Sequence, residues 1–252
     1  HNAISTPDET EERFQKFNTE EVLSFLRLAL EKKLDVVILT TGGKLFDIAV
    51  SEQLPHIVMP NEGIQPRLAI GYSTLAIAKI LNDESLISDL KQVADKLNPE
   101  SLKQEGKSLA TSIENKIPVI YASNRNLPLV YNWKIKFNET AKTPAFYNLF
   151  PELNHNEMQG FQDEKYSENF HFIFIHDTND NLRIEKRMEV ASQLFEERGY
   201  SVTNLHLSGS SVFEKIFSSL LIADWTAFEL AKIKGTDPQS VPLIEDFKNR
   251  LN

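Results

Sequence analysis

The sequence contains no cysteine, which removes disulfides, thiolate metal ligands and thiol nucleophiles from consideration and fits a reducing cytoplasm. No apolar run approaches the roughly 18 residues that span a bilayer, and no export signal is visible near the amino terminus. Positive charge is scarce, because 27 Lys and Arg residues against 36 Asp and Glu residues leave a net charge of -9. We therefore expect no nucleic-acid partner and no membrane partner, although backbone N–H groups can still hold a small anion.

What is present is an alternation of short apolar runs with helical patterns. The runs DVVILTTGG (35–43), HIVMP (56–60), IPVIYAS (117–123), FHFIFIHD (170–177) and YSVTNLHL (200–207) predict strands. Helical spacing follows most of them, and Gly199 and Gly235 are typical helix stop signals. Strands alternating with helices on this scale predict an α/β fold whose parallel sheets are covered on both faces.

The domain organisation is predicted from a change of pattern in the middle of the chain. Residues 83–115 show helical spacing without a strand signal and are broken at Asn98–Pro99, so they predict two helices between domains. We expect a partial amino-terminal domain over 1–97, a linker helix over 98–116 and a carboxy-terminal domain over 117–252. Further helices are predicted to begin near Asn18 and at Pro66.

Three segments resemble the bifunctional phosphoglucose/phosphomannose isomerases, which are proteins of the sugar isomerase (SIS) type. KTPAFYNLFPELNHNEMQGF (142–161) is similar to the family block P-A-F-W-N-x-x-P-E-x-N-H-N-E. ILTTGGKLFDIA followed by PRLAIGY is similar to its S-S-G-G-x-L and P-R-x-A-L-G-Y pieces, and LLIADWTAFELAKIKGTDPQSVPLIEDFK to its carboxy-terminal helix, G-x-D-P turn and final lysine. The resemblance covers most of residues 16–252 and implies two SIS-type, doubly wound parallel-sheet domains, the first incomplete.

The resemblance also implies a reaction. In such enzymes a base moves a proton between C1 and C2 of an open-chain sugar phosphate through a cis-enediol, after other groups have opened the ring. We expect interconversion of glucose 6-phosphate with fructose 6-phosphate, with mannose 6-phosphate as a further candidate substrate. No metal or redox cofactor is implied, and the expected assembly is a cytoplasmic homodimer.

Three candidate catalytic residues follow from the resemblance. Glu157 matches the last residue of N-H-N-E and is the expected proton-transfer base; on spacing alone it is a helix-start carboxylate that interacts with the dipole. Lys248 matches a near-terminal lysine associated with ring opening, although a lysine in a last helical turn is also an ordinary surface charge. Relatives place a histidine where this sequence has Asn181, so His171 is the alternative candidate, and it also suits a sheet-face histidine.

The candidate substrate-binding residues of the second segment are Thr40, Thr41, Gly42 and Arg67. The first three resemble the Ser-Ser-Gly-Gly loop and follow a predicted strand, where open α/β sheets bind ligands; the alternative is a simple turn that uses glycine for its backbone freedom. Arg67 matches the arginine of the P-R motif and would stabilise the enediolate, while a first-turn surface arginine is the alternative.

The sequence departs from the family at its phosphate loops. The family loop S-Y-S-G-N-T-E-E-T corresponds here to FQKFNTEEV (14–22), which has Phe14, Lys16 and Phe17 in place of two serines and the glycine. Thr19 keeps a hydroxyl and Lys16 adds a cation, so these two are the candidate phosphate ligands. An earlier G-M-G-G-S loop has no counterpart in this sequence. These departures keep open a second hypothesis, a catalytically impaired sugar-phosphate-binding protein on the same fold.

Overall fold

The computed structural model describes residues 20–251, which form two compact units that divide between Ser88 and Asp89. The ranges 1–97, 98–116 and 117–252 stay predictions; residues 98–116 fall within the second unit. Asn18, Lys16 and Thr19 lie outside the described residues.

The first unit contains a two-stranded parallel sheet, in which β1 (Ile38–Thr40) pairs with β2 (His56–Val58). Its small core brings together the buried side chains of Leu26, Ile38 and Ala49. The helices of this part of the chain are α1 (Glu20–Glu31), α2 (Gly43–Ser51), α3 (Ile70–Ile80) and α4 (Glu84–Lys96), the last of which spans the division.

The helix predicted from Pro66 begins differently from the expectation. A 3-10 turn (Pro66–Leu68) comes first, and α3 starts only at Ile70. The cause is the backbone of Ala69, whose φ of -94° and ψ of 14° interrupt the regular α-helical geometry. A proline at the start of the segment is therefore followed by a change of helix type.

The second unit contains a four-stranded sheet in the order β4-β3-β5-β6, and all its neighbouring strands are parallel. Its strands are β3 (Ile117–Ser123), β4 (Phe146–Phe150), β5 (Phe170–His176) and β6 (Ser201–His206). Its helices are α5 (Lys103–Ile113), α6 (Leu127–Glu139), α7 (Leu182–Glu196), α8 (Val212–Ile233) and α9 (Pro242–Leu251).

Both faces of this sheet are covered. Successive side chains of a strand point to opposite faces, and Tyr121 and Phe174 belong to an aromatic core that includes Phe195 of α7. Ile120 and Ile173 have the opposite parity in the same strands and are also fully buried. Helices and turns must therefore cover each face, and the predicted α/β class with parallel sheets is confirmed.

Most predicted elements of the second unit are present, but β4 was not predicted as a strand. The break at Asn98–Pro99 separates α4 from α5, and Gly199 and Gly235 follow α7 and α8 with positive φ angles of 78° and 65°. β4 is an edge strand inside the segment that resembles the family block. Within residues 20–251, no helix is both long enough and apolar enough to cross a bilayer.

Candidate active site

The segment that carries Glu157 runs from the end of β4 toward β5. It leaves β4 through a cis Phe150–Pro151 peptide bond and contains short 3-10 turns, one of which spans Glu157–Phe161. Leu153 is fully buried, and Met158 and Phe161 pack against the aromatic core of the second unit. Apolar anchors on both sides of Glu157 therefore fix where its backbone lies.

The carboxylate of Glu157 receives hydrogen bonds from two neighbouring strands. The Tyr121 hydroxyl of β3 donates to Oε1 at 2.6 Å, and the Asn148 side-chain amide of β4 donates to Oε2. Tyr121 and Asn148 are partners in the β3–β4 register. Glu157 itself is half-buried, so part of the residue stays open to solvent. Its carboxylate is held by two neutral donors, a phenol and an amide.

Tyr121 acts as a fixed donor. Its ring is fully buried, and burial, followed by the charge and hydrogen bond of Glu157, raises the pKa of the phenol far above its usual range. The hydroxyl therefore keeps its proton and donates a hydrogen bond to Glu157. The side chain is suited to orient a base, and it cannot itself serve as a base near neutral pH.

The orientation of the Asn148 amide follows from its second hydrogen bond. Its Oδ1 accepts from the backbone N–H of Leu149 at 2.8 Å. Because the oxygen is occupied in this way, the NH2 group is the one that faces Glu157. Both carboxylate oxygens therefore meet donors, and the site offers a carboxylate of defined position as an acceptor for a proton.

The carboxyl ends of β3 and β5 carry a second polar cluster that lies within the sheet edge where open α/β folds bind ligands. Ser123 donates to Asp180 Oδ1 at 2.7 Å, and Asn126 donates to Asp180 Oδ2 at 3.4 Å. The ammonium of Lys215 lies 2.8 Å from Asp177 Oδ1. These polar groups form hydrogen bonds with one another and stabilise the loops after the two strands.

Asn181, which stands where relatives place a histidine, has a local structural role. Its Oδ1 accepts from the backbone N–H of Arg183 at 2.8 Å and so caps the amino end of α7. A histidine would offer this N–H group no equivalent short side-chain oxygen. Asn181, which departs from the family pattern, thus has a structural role at the start of α7.

His171 lies near the amino end of β5. The residue is 2% exposed, its Nε2 lies 2.8 Å from Thr203 Oγ1, and burial, assisted by the charge of Lys116, lowers the pKa of its imidazole to about 4. It is not among the hydrogen-bond partners that the described residues give to the Glu157 carboxylate. Its catalytic role stays a prediction, and a neutral, buried imidazole at the amino end of a strand is unfavourable for it.

Lys248 lies in α9 and is exposed. It is not a hydrogen-bond partner of the Glu157 carboxylate within the described chain. Its role in ring opening stays a prediction.

In the first unit, Thr40 and Thr41 line a cleft after β1. The Thr40 hydroxyl donates to the carbonyl of Gly42 at 2.7 Å and accepts from its N–H at 3.0 Å, and Gly42 has a φ of 135° that favours glycine. Glu62 and Tyr72 line the same cleft and are hydrogen-bonded at 2.9 Å. The cleft combines these polar groups with an apolar lining that includes Leu45, Met59 and Ile64, and a simple turn explains the Thr40 contacts equally well.

Arg67 is 8% exposed and lies in the 3-10 turn Pro66–Leu68, beside Pro66, which also lines the cleft. A guanidinium this far buried is not the ordinary surface arginine that spacing alone allowed. Its contact with an intermediate stays a prediction.

Sequence reasoning missed Tyr121 and Asn148. Asn148 falls within the family-like block, but nothing in its spacing distinguishes it from a loop residue. Tyr121 falls in an apolar run, where it is indistinguishable from core. Among residues 20–251, no group of three or more His, Asp or Glu side chains is placed to hold a metal ion.

The chain is therefore an α/β protein in which a carboxylate beside a parallel sheet forms a candidate acid–base centre. Comparison with known proteins identifies its class more narrowly. The family model described as bacterial phospho-glucose isomerase C-terminal SIS domain matches residues 102–251. A structure of a hypothetical protein from Thermus thermophilus shares the fold with a TM-score of 0.71 at 17% identity, covering 100% of this chain and 76% of that one.

Two curated relatives give the narrower grouping. The bifunctional phosphoglucose/phosphomannose isomerase of Aquifex aeolicus is 32% identical over 235 residues, which are 93% of this chain and 73% of that protein. The protein of the same name from Thermoplasma acidophilum is 35% identical over 237 residues, again 93% and 73%. The chain therefore belongs to the family of bifunctional phosphoglucose/phosphomannose isomerases, and the resemblance stated from its motifs is confirmed.

Proposed function

We propose that the protein is an aldose–ketose isomerase that interconverts glucose 6-phosphate, and also mannose 6-phosphate, with fructose 6-phosphate. The observation that carries this proposal is the half-buried Glu157 carboxylate, hydrogen-bonded on both oxygens above the sheet. The names of the Aquifex aeolicus and Thermoplasma acidophilum relatives support the choice of substrates.

Glu157 is the proposed base. Its carboxylate takes the proton from C2 of the open-chain aldose; the electron pair of the broken C–H bond forms the C1–C2 double bond, and the π pair of the C1 carbonyl moves onto O1 to give a cis-enediolate. The O2 hydroxyl proton passes to O1, and the protonated Glu157 returns its proton to C1 as the C2 carbonyl forms. No electron enters or leaves overall, so the reaction needs no redox partner and we propose none.

The other site residues are proposed in supporting roles. Lys248, which is exposed, and His171, which is buried, are the candidates for ring opening. The remaining candidates contact the sugar phosphate; they are Lys16, Thr19, Thr40, Thr41, Gly42 and Arg67. We further propose a homodimer located in the cytoplasm, with a small sugar phosphate as the ligand.

A coupled assay that follows conversion of fructose 6-phosphate to glucose 6-phosphate tests this function. Replacing Glu157→Gln keeps the shape of the side chain and removes the base, so kcat should fall by about 100- to 10,000-fold. Glu152→Gln is the matched control, because Glu152 is an exposed carboxylate in the same segment. Its activity should equal that of the wild type.

The phosphate-loop substitutions Phe14, Lys16 and Phe17 favour one competing function, a sugar-phosphate binder without catalysis. A folded wild-type protein that shows no turnover, but whose melting temperature rises with fructose 6-phosphate, would establish the binder and reject the isomerase. Neither turnover nor stabilisation would reject both.

A further inference from the structure

We infer that Tyr121 and Asn148 are positioning residues that hold the Glu157 carboxylate in the orientation that transfers the proton. The inference rests on the proposed function, because it assigns the orientation of the proposed base. It begins from the convergence of two side-chain donors, one on each carboxylate oxygen, from two adjacent strands. A carboxylate with one donor can still rotate about its last torsion, whereas donors on both oxygens define its plane.

The Tyr121 donor is itself rigid. Its fully buried ring contacts four aromatic rings, with centroid distances of 6.2 Å to Phe150, 5.5 Å to Phe172, 5.5 Å to Phe174 and 6.3 Å to Phe195. Close packing in such a core leaves the phenol little freedom to shift. The position of its hydroxyl, and hence of Glu157 Oε1, is set by the core of the second unit.

The Asn148 donor is fixed by the sheet. The backbone N–H of Leu149 holds Asn148 Oδ1 at 2.8 Å, so the amide cannot turn over without losing that bond. Since β3 and β4 pair in parallel from Val119↔Phe146 to Ser123↔Phe150, the register places Asn148 beside Tyr121. The spacing of the two donors is therefore a property of the strand pairing and does not depend on a mobile loop.

Both donors are neutral, and this matters for a base. An arginine or lysine would add a full positive charge beside the carboxylate and favour its ionised form, whereas a phenol and an amide orient the carboxylate without adding such a charge. The pair is thus better suited to a proton-transfer group than to a permanent structural anion.

A purely structural purpose for these bonds is less consistent with the surroundings. The segment around Glu157 is already anchored by the fully buried Leu153 and by Met158 and Phe161 in the aromatic core. Losing the Tyr121 hydroxyl would therefore leave the path of the backbone unchanged and release only the carboxylate.

The test compares Tyr121→Phe and Asn148→Asp with two matched controls. Tyr200→Phe removes a hydroxyl from the same aromatic core, and Asn138→Asp alters a half-buried amide that donates to the Thr143 carbonyl at 2.9 Å. The substrate is glucose 6-phosphate with deuterium at C2. The measurements are kcat, KM, the isotope effect on kcat and the fraction of deuterium that reaches C1 of the product.

We expect kcat of Tyr121→Phe to fall about 10- to 100-fold with KM nearly unchanged, because a misplaced base slows the chemical step and leaves substrate binding intact. The isotope effect should rise and the transferred fraction should drop, since a looser carboxylate exchanges its proton with water. Asn148→Asp, which places a carboxylate against Glu157, should do at least as much harm. The controls should leave both isotope readouts at wild-type values.

The isotope readouts do not depend on how much protein is folded, so a variant with lowered stability still gives a decisive result. An active wild type with unchanged kcat and isotope effect in Tyr121→Phe would overturn the positioning role alone. A fall in kcat with unchanged isotope readouts would also overturn it, because it would show only a loss of folded enzyme. A folded but inactive wild type would reject the proposed function, and the positioning role with it.

Discussion

The ammonium of Lys215 lies 2.8 Å from Asp177 Oδ1 and 2.8 Å from Thr178 Oγ1, and so joins the first turn of α8 to the chain that leaves β5. The two charged side chains are only 11% and 6% exposed. Burial opposes the ionisation of Asp177, but the hydrogen bonds from Lys215 and from the backbone of Asn179 hold the pKa of its carboxyl below the usual range. The Asp177 carboxyl is therefore ionised near neutral pH and lies against the side-chain nitrogen of Lys215 in the folded state.

Removing one member of this pair should be strongly destabilising. Lys215→Met leaves the Asp177 carboxylate buried without its ammonium, and the free energy of unfolding should fall by about 3–5 kcal/mol in urea titrations. The matched control is Lys186→Met on α7, because Lys186 pairs with Glu189 at 3.0 Å while both side chains are more than half exposed. Such a surface pair contributes about 0–1 kcal/mol. Equal losses in the two variants would contradict the assigned importance of burial.

His171 should make the protein less stable as the pH falls from 7 toward 4. Its pKa is about 4 in the folded state because of burial, against about 6.5 when unfolded, so the unfolded chain binds more protons within this window. Protonation of His171 therefore favours unfolding. Because of this residue, the free energy of unfolding should fall by about 2–3 kcal/mol between pH 6.5 and pH 4.

Urea titrations at pH 7 and pH 4.5 measure this dependence, and His171→Gln should flatten it. The carboxyl of Asp177 would contribute mainly below its unfolded pKa near 3.9, which lies outside the window. A His171→Gln variant that loses stability as steeply as the wild type would contradict the assignment. The same variant also tests the predicted catalytic role, since a buried structural histidine should leave kcat unchanged.

The fold was largely predictable because the local sequence patterns of most strands and helices indicate their type. β3 and β5 are predominantly apolar runs, and the glycines after α7 and α8 have the positive φ that such stop signals predict. β4 was missed because it is a short, half-buried edge strand whose sequence FYNLF contains a central asparagine. Its pairing with β3 is a long-range contact that no local pattern encodes.

The candidate site was predictable only in part, because its contacts also depend on long-range strand pairing. Glu157 was found through its motif, whereas Tyr121 and Asn148 become neighbours of Glu157 only once the β3–β4 register is known. A tyrosine within a buried strand is most often core, and its hydroxyl gains significance only from what it meets. Site residues that depend on strand register therefore lie beyond inference from a single sequence.

The close approach of α5 to α8 should make Gly106 intolerant of a side chain. A Cβ added there would lie 2.4 Å from Trp225 Cβ and 2.9 Å from the backbone nitrogen of Thr226. Neither atom can move without the helix, so the two helices would have to separate. Gly106→Ala should lower the free energy of unfolding by about 1–3 kcal/mol, even though alanine has the higher helix propensity by up to about 1 kcal/mol.

Gly71 in α3 offers the matched control for this prediction, because a Cβ there would meet no heavy atom within 4 Å. Gly71→Ala should therefore be neutral or raise the free energy of unfolding by up to about 1 kcal/mol, since only the propensity difference acts. Urea titrations of both variants measure the contrast. A loss of stability is expected for Gly106→Ala and none for Gly71→Ala; a Gly106→Ala protein as stable as the wild type would mean that α5 and α8 are not packed as closely as these distances require.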